Sequence, residues 1–319
     1  MRSTELDYDL PSELIAQRPA DARDASRLLV YERRTGATRH RMFADLPSEL
    51  AGHLTVVNDT RVVPARILLR RATGGAVEVL LLERLDPGLW EALARPSRRL
   101  RAGERLAGDA TRTEVELVEP LGEGRWTVRL EGEPDGELPL PPYVRETPAD
   151  PERYQTVYAR ELGSAAAPTA GLHFTPELLG RLEHEFVTLH VGLDTFRPVT
   201  TETVEEHAIH GERYHVTQAA WSRIAAAERV LSVGTTTTRV LETIARGGPL
   251  EGRTELFIAP PGFEFRRVDA LLTNFHLPRT TLLALVMAFA GVEETRALYE
   301  LAIRERYRFY SFGDAMLVL

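Results

Sequence analysis

The chain has 319 residues, a net charge of −8, 43% hydrophobic and 27% charged residues. That is the composition of a folded globular protein, and the length exceeds the roughly 250–300 residues that one core organises, so two domains or one domain with an insertion are expected. Cysteine is absent, which excludes disulfides, thiolate nucleophiles and cysteine metal sites; lysine is absent too, all 39 basic residues being arginine, which excludes Schiff-base chemistry and a Walker-type phosphate lysine.

Residues 1–60 read as mixed α/β. A short helix is expected over 11–16, a strand over 28–31, a helix over 43–50 and a buried strand over 54–57 that ends at the polar Asn58-Asp59-Thr60. After Arg61 the texture changes to short strands separated by glycine and proline turns: 65–69, 77–82, 90–93, 114–118 and 126–130. In the last of these Trp126, Val128 and Leu130 share one face. Such regular short strands predict a small antiparallel barrel. Pro139-Leu140-Pro141-Pro142 reads as a linker.

Helix signals return after Asp150. Thr175-Pro176-Glu177 is a helix start, with a hydroxyl cap and proline in the first turn, and predicts a helix to about residue 185. Strands follow at 186–191, 230–233, 256–258 and 315–318, with helices at 217–228, 236–245, 280–290 and 293–306. The fold class is therefore α/β: a large mixed α/β domain (1–62 and 151–319) with an inserted small antiparallel β-barrel domain (63–150). The longest apolar stretch, residues 282–290, is far short of the ~20 residues that span a bilayer, and the N-terminus is polar. A cytoplasmic protein without a membrane partner is expected.

Several segments carry chemical potential. Asn58-Asp59-Thr60-Arg61 follows a buried strand, where ligands of open α/β sheets sit, although Asn and Asp also favour plain turns. Gly234-Thr235-Thr236-Thr237-Thr238-Arg239 joins a strand to a helix; free N–H groups and hydroxyls there suit an anion or ribose hydroxyls, and four threonines exceed the needs of a cap. Pro168-Thr169-Ala170-Gly171-Leu172-His173-Phe174 places a histidine after small residues, where a backbone approaches a flat ligand closely. His207, His210 and Glu212 match no strong zinc spacing, so no metal is expected and a carboxylate-tuned histidine base is the better reading. Asn274-Phe275-His276-Leu277-Pro278 adds polar and aromatic groups, and Arg66, Arg98, Arg99 and Arg101 fall in arginine clusters that either decorate strand edges or bind phosphates.

Together these strings resemble the signatures of the S-adenosylmethionine:tRNA ribosyltransferase-isomerase family of queuosine biosynthesis. The resemblance rests on Val57-Asn58-Asp59-Thr60-Arg61-Val62, on Ala167-Pro168-Thr169-Ala170-Gly171-Leu172-His173-Phe174-Thr175, on His190-Val191-Gly192 and Thr195-Phe196-Arg197-Pro198-Val199, and on Val233-Gly234-Thr235-Thr236. Leu272-Thr273-Asn274-Phe275-His276-Leu277-Pro278 and the stretch from Tyr307-Arg308-Phe309 to Gly313-Asp314-Ala315-Met316 complete it, in the family's order along essentially the whole chain. Asp194 departs from the glycine or small residue expected there, and arginine replaces lysine throughout, for instance at Arg279.

The resemblance implies an α/β domain with an inserted barrel. It also implies transfer and isomerisation of the ribosyl moiety of S-adenosylmethionine, a co-substrate and not a permanent cofactor, onto a 7-aminomethyl-7-deazaguanine wobble base. The partner would be a tRNA with a GUN anticodon, and the protein a monomer. His173 or the His207/His210 pair would supply the base, with Glu212 orienting it. Asn58, Asp59, Thr60, Arg61, Thr169 and Gly171 would bind substrate, as would Gly234, Thr235, Thr236, Asn274 and His276. Arg66, Arg98, Arg99 and Arg101 would hold the tRNA. A non-catalytic RNA-binding protein, a metal-dependent hydrolase and a methyltransferase are the competing readings.

Overall fold

Short 3-10 turns at Ser3–Leu6, Ser12–Leu14 and Arg23–Ala25 lead into β1 (Arg27–Glu32), β2 (Ala37–Met42), α1 (Leu46–Glu49), β3 (His53–Asn58) and β4 (Thr60–Val62). Six strands follow: β5 (Arg66–Arg71), β6 (Ala76–Asp86), β7 (Leu89–Arg95), β8 (Arg105–Ala107), β9 (Glu114–Gly122) and β10 (Arg125–Leu130). Next come β11 (Glu161–Ser164), a 3-10 helix at Thr169–His173, α2 (Pro176–Leu179), β12 (His184–Leu189), β13 (Glu212–His215), α3 (Gln218–Ala226), β14 (Arg229–Val233) and α4 (Thr235–Ala245). The chain closes with β15 (Glu251–Thr254), β16 (Ala270–Asn274), α5 (Thr281–Ala290), α6 (Val292–Arg304) and β17 (Ala315–Val318). The computed structural model describes residues 1–108, 113–141, 143–145, 150–192, 198–207 and 211–319.

The chain divides into two units. One comprises Met1–Thr60, Pro142–Arg160 and Ala167–Leu319. Among its described residues, nine strands form a sheet in the order β15-β13-β12-β3-β14-β16-β17-β1-β2. Its centre, β12-β3-β14-β16, is parallel throughout, and β17 then runs antiparallel to β16. Strands β14 and β16 are buried on both faces, as parallel strands under helices are, and their buried polar residues Ser232, Thr273 and Asn274 lie toward the strand ends. Leu28, Val30, Val57, Leu231, Val233, Leu272 and Leu317 pack against Phe43 and Phe174 on one face.

The other unit, Arg61–Pro141 with Glu161–Ala166, contains a closed barrel in the order β10-β7-β6-β5-β8-β9. Alternation drives it: in β5 Ile67 and Leu69 point inward while Arg66, Leu68 and Arg70 point outward. Ile67, Val79, Trp90, Leu106, Val115, Trp126 and Val128 fill the interior. Closure pairs β9 with β10 and leaves no free strand edge.

The mixed α/β class with a small antiparallel barrel is the architecture read from the sequence. Residues 142–160 fold with the larger unit and residues 161–166 with the barrel unit, where Val63 N donates to Ser164 O. Other details differ from expectation. The helix expected to run to about 185 stops at Leu179, because Gly180 caps it and β12 starts at His184. The stretch 256–258 is not a strand; the strand lies earlier, at β15, and Leu256 O instead accepts from Arg239 Nε. The helix expected over 11–16 is a single 3-10 turn. Strands β2, β4, β8, β11, β13, β15 and β16 were not anticipated: β2 is almost wholly exposed and lacks an apolar face. Among the described residues no helix is long and apolar enough to cross a membrane.

Candidate active site

Three strand ends of the parallel centre build one cleft. Gly234 follows β14, Asn274 ends β16, Val191 lies just past β12, and all three line a space of about 460 Å³ together with Ala167, Pro168, Thr169 and Ala170. Thr235, Thr236, Thr273, His276, Leu282, Tyr310 and Ser311 complete the lining. Gly234 takes φ +87°, a conformation that favours glycine, so the chain turns sharply from β14 into α4. Its position also answers why four threonines follow it. The helix has no side-chain cap; Thr235 and Thr236 face the cleft, whereas Thr237 Oγ1 donates to Val233 O (2.7 Å) and Thr238 Oγ1 to Ser232 Oγ (2.9 Å), tying α4 to β14. The first N–H groups of α4 therefore meet the cleft with their partial positive charge.

Asn274 is the most constrained group in the lining. Its Nδ2 donates to His173 Nε2 (3.1 Å), Tyr310 O (3.2 Å) and Asp314 O (3.4 Å), while its Oδ1 is buried with no partner among the described residues. A buried acceptor left open is costly unless a ligand donor or water fills it. Because Asn274 donates to Nε2, the His173 proton sits on Nδ1, which donates to Ser26 Oγ (2.7 Å). Phe43 stacks on the ring at 4.9 Å. Burial, then the charges of Arg308 and Arg23, pushes His173 down to about 3, so it stays neutral at pH 7. Burial likewise pushes His276 down to about 3; its Nε2 lies 2.9 Å from Thr273 Oγ1, and its backbone N–H donates to Tyr299 Oη.

The remaining expected residues are not in its lining. Asn58 is fully buried and bridges β3 to β12: its Oδ1 accepts from Leu189 N (3.0 Å) and its Nδ2 donates to Leu189 O (2.9 Å) and reaches Thr236 Oγ1 (3.5 Å). Asp59 accepts from Arg160 Nη2 (2.6 Å) and Thr188 Oγ1 (2.7 Å), and Thr60 Oγ1 lies 2.8 Å from His190 Nδ1. Arg61 is half-buried at the start of the barrel unit. Glu212 accepts from the Gly192 N–H (2.9 Å) and pairs with Arg239 of α4 in a nearly buried ion pair. His207 is half-buried, capping the 3-10 turn Val204–Glu206. His210, Asp194 and Thr195-Phe196-Arg197 lie outside the described residues. On the barrel unit Arg66 pairs with Glu78, whereas Arg98, Arg99 and Arg101 are exposed and their guanidinium groups have no partner among the described residues. No group of three or more His, Cys, Asp or Glu placed to hold a metal occurs among the described residues.

Residues 3–318 match a family model described as queuosine biosynthesis protein. A curated S-adenosylmethionine:tRNA ribosyltransferase-isomerase from Rubrobacter xylanophilus is 56% identical over 100% of this chain and 98% of its own length. The chain belongs to the S-adenosylmethionine:tRNA ribosyltransferase-isomerase family. A relative of the same name from Moorella thermoacetica is 52% identical over the whole of both chains. The crystal structure of S-adenosylmethionine tRNA ribosyltransferase from Thermotoga maritima shares 38% identity and a TM-score of 0.57 over 99% of this chain and 100% of that one.

Within the ribosyltransferase-isomerase framework the cleft contains residues that residue-by-residue reasoning did not single out. Tyr310 and Ser311 come from the C-terminal string, in which the neighbouring Phe309 and Phe312 are core. Val191 adjoins His190, whose half-buried ring sits at the end of β12; the string His190-Val191-Gly192 was the available signal. Gly171 does not line the cleft but governs its wall. A Cβ there would lie 2.0 Å from Tyr158 Oη and 2.9 Å from Thr156 Cγ2, both buried. Gly171→Ala is therefore expected to cost about 1–3 kcal/mol and to shift the 3-10 helix carrying Thr169 and His173. Thermal denaturation checks this; an unchanged melting temperature would mean that the Tyr158 ring moves aside freely.

Proposed function

We propose that this chain transfers and isomerises the ribosyl moiety of S-adenosylmethionine onto 7-aminomethyl-7-deazaguanine at the tRNA wobble position, giving epoxyqueuosine-tRNA and releasing adenine and methionine. The observation that carries this reading is the convergence of the 167–174, 190–192, 233–236, 272–278 and 307–316 strings on one cleft. The cleft lies at the carboxyl ends of parallel strands, where ligands of open α/β sheets bind.

The chemistry assigns tasks to what lines the cleft. The sulfonium acidifies the adjacent ribose C5′ protons; removal of one and opening of the ribose ring expel adenine, the neutral amine of the wobble base adds to the opened ribosyl chain, and closure to the epoxide breaks the carbon–sulfur bond and releases methionine. The α4 N-terminus with the Thr235 and Thr236 hydroxyls receives ribose oxygens and the negative charge that develops on them. Asn274 Oδ1 accepts from a ligand N–H or O–H, Thr169 and Gly234 keep the backbone close to the flat base, and Gly171 supports that wall from behind. His173 holds Asn274 in that orientation, and His276 secures the loop after β16. Because both ring nitrogens of His173 are engaged, proton removal falls to the His207/His210 stretch, with Glu212 joining Arg239 to the Gly192 amide beside it. Asn58, Asp59, Thr60 and Arg61 form the supporting strand end.

The partner is a tRNA with a GUN anticodon, gripped through its phosphates by Arg98, Arg99 and Arg101, with Arg66 adding charge nearby. The protein acts as a cytoplasmic monomer that holds no permanent cofactor. The test is a product assay with the full chain, S-adenosylmethionine and an anticodon hairpin bearing the aminomethyl-deazaguanine base. Mass spectrometry is expected to show adenine, methionine and an epoxide-bearing RNA. S-adenosylhomocysteine would instead reveal a methyltransferase, and tight RNA binding without turnover would reveal a binding module.

A further inference from the structure

A second cleft, of about 270 Å³, carries three guanidinium groups on its walls, those of Arg23, Arg153 and Arg308. His173 lines it too, and Ser311 lines both this cleft and the larger one, so the two adjoin. The charge is poorly balanced. Arg23 donates to Leu172 O (3.1 Å) and Glu152 O (2.8 Å), and Arg153 to Asp21 O (2.9 Å) and Ala20 O (2.5 Å). Those partners are backbone carbonyls; among the described residues neither guanidinium has a carboxylate within ion-pair distance. Arg153 Nε is buried without any partner. Arg308 reaches Asp314 at 3.4 Å, but that carboxylate also accepts from the Arg27 and Arg308 backbone N–H groups.

Three guanidinium groups therefore meet beside a buried neutral histidine, with Asp314, among the described residues, the one carboxylate paired to any of them and with Asp150 and Glu152 acting on Arg23 from beyond ion-pair distance. Like charges held together in a partly desolvated space raise the energy of the empty state, and an anion relieves it. Burial and then the Arg153 charge draw Arg23 below its ordinary value, as mutual repulsion requires. Backbone carbonyl bonding accounts for the Nη groups of Arg23 and Arg153, but not for the open Arg153 Nε or for the gathering of three guanidinium groups in one cleft. Guanidinium forks are also the donors best matched to planar or tetrahedral oxyanions.

We propose that this cleft is an oxyanion subsite, which takes a carboxylate or phosphate group of the molecule bound in the larger cleft. Which molecule supplies it rests on the function proposed above: the α-carboxylate of the methionyl group, or a phosphate beside the reacting base.

The test compares the full wild-type chain with Arg153→Met in three titrations: inorganic phosphate, S-adenosylmethionine and the anticodon hairpin. Phosphate affinity is expected to fall about tenfold or more in the variant. A matching loss for S-adenosylmethionine, with 5′-methylthioadenosine bound as before, identifies the carboxylate; a loss for the hairpin, with a salt slope lower by about one, identifies an RNA phosphate. If the variant does not fold, Arg153→Gln, which keeps amide donors toward the Ala20 and Asp21 carbonyls without the charge, takes its place. Equal affinities for all three probes, within about twofold, would overturn the subsite. Arg153-dependent phosphate binding by a wild-type chain that binds neither S-adenosylmethionine nor hairpin would leave the subsite standing and remove the proposed function.

Discussion

Glu242→Ala is expected to lower the free energy of unfolding by about 3–5 kcal/mol, out of a typical total of roughly 5–15. Glu242, in the last two turns of α4, is fully buried. Its carboxylate accepts from the backbone N–H groups of Arg266 (2.9 Å), Arg267 (2.9 Å) and Val268 (3.0 Å) and pairs with Arg246. Truncation strands three amide donors and a guanidinium at the point where the chain enters β16, the strand that ends in Asn274. Glu242→Gln should fall in between, because the amide oxygen still accepts while the amide nitrogen faces donors. Urea denaturation provides the measurement. A loss below about 1 kcal/mol for the alanine variant would show that the 264–268 loop holds its course without the carboxylate.

Acidification from pH 7 to pH 5 is expected to remove about 2 kcal/mol of stability for each of His173 and His276. Both are held near 3 in the folded chain and return to the usual value near 6.5 when unfolded. Below that usual value the unfolded state takes up protons that the folded state refuses. Stability therefore rises with pH across the window from about 3 to about 6.5 and is complete above it. His53, drawn down by burial and by the Arg229 charge, adds in the same direction. His173→Gln should flatten the slope of unfolding free energy between pH 5 and pH 7, where most carboxylates have finished titrating. A slope identical to the wild type's would mean that His173 protonates as readily in the folded chain as in water.

These two effects arise where side chains from distant parts of the sequence are forced together. His173 shows the limit of a linear reading. Its place in a string of small residues suggested a base, because a histidine near neutral pH is the commonest one. The fold sets it between Ser26 and Asn274, 147 and 101 residues away, under Phe43, partners that its own string does not show. Likewise Glu212 looked like a partner for histidines close by in sequence, yet it meets Arg239 across the α4–β13 packing.

What the sequence by itself determined is whatever is governed by local periodicity and turn chemistry. Trp126, Val128 and Leu130 alternating with Thr127 and Arg129 made the barrel strands legible, and Thr175-Pro176 and Gly234 marked the starts of α2 and α4. The strings at strand ends were legible as well, because glycine, threonine and asparagine there have no purpose in a core. The tertiary structure alone decided how those ends come together. Register along β3, β12, β14 and β16 is a long-range property, set by burial on both faces, and it brings residues 167–170, 191, 234–236 and 273–276 to one cleft. Burial then settled the protonation of His173 and His276, and Arg23, Arg153 and Arg308 meet in a cleft that no single segment foreshadows.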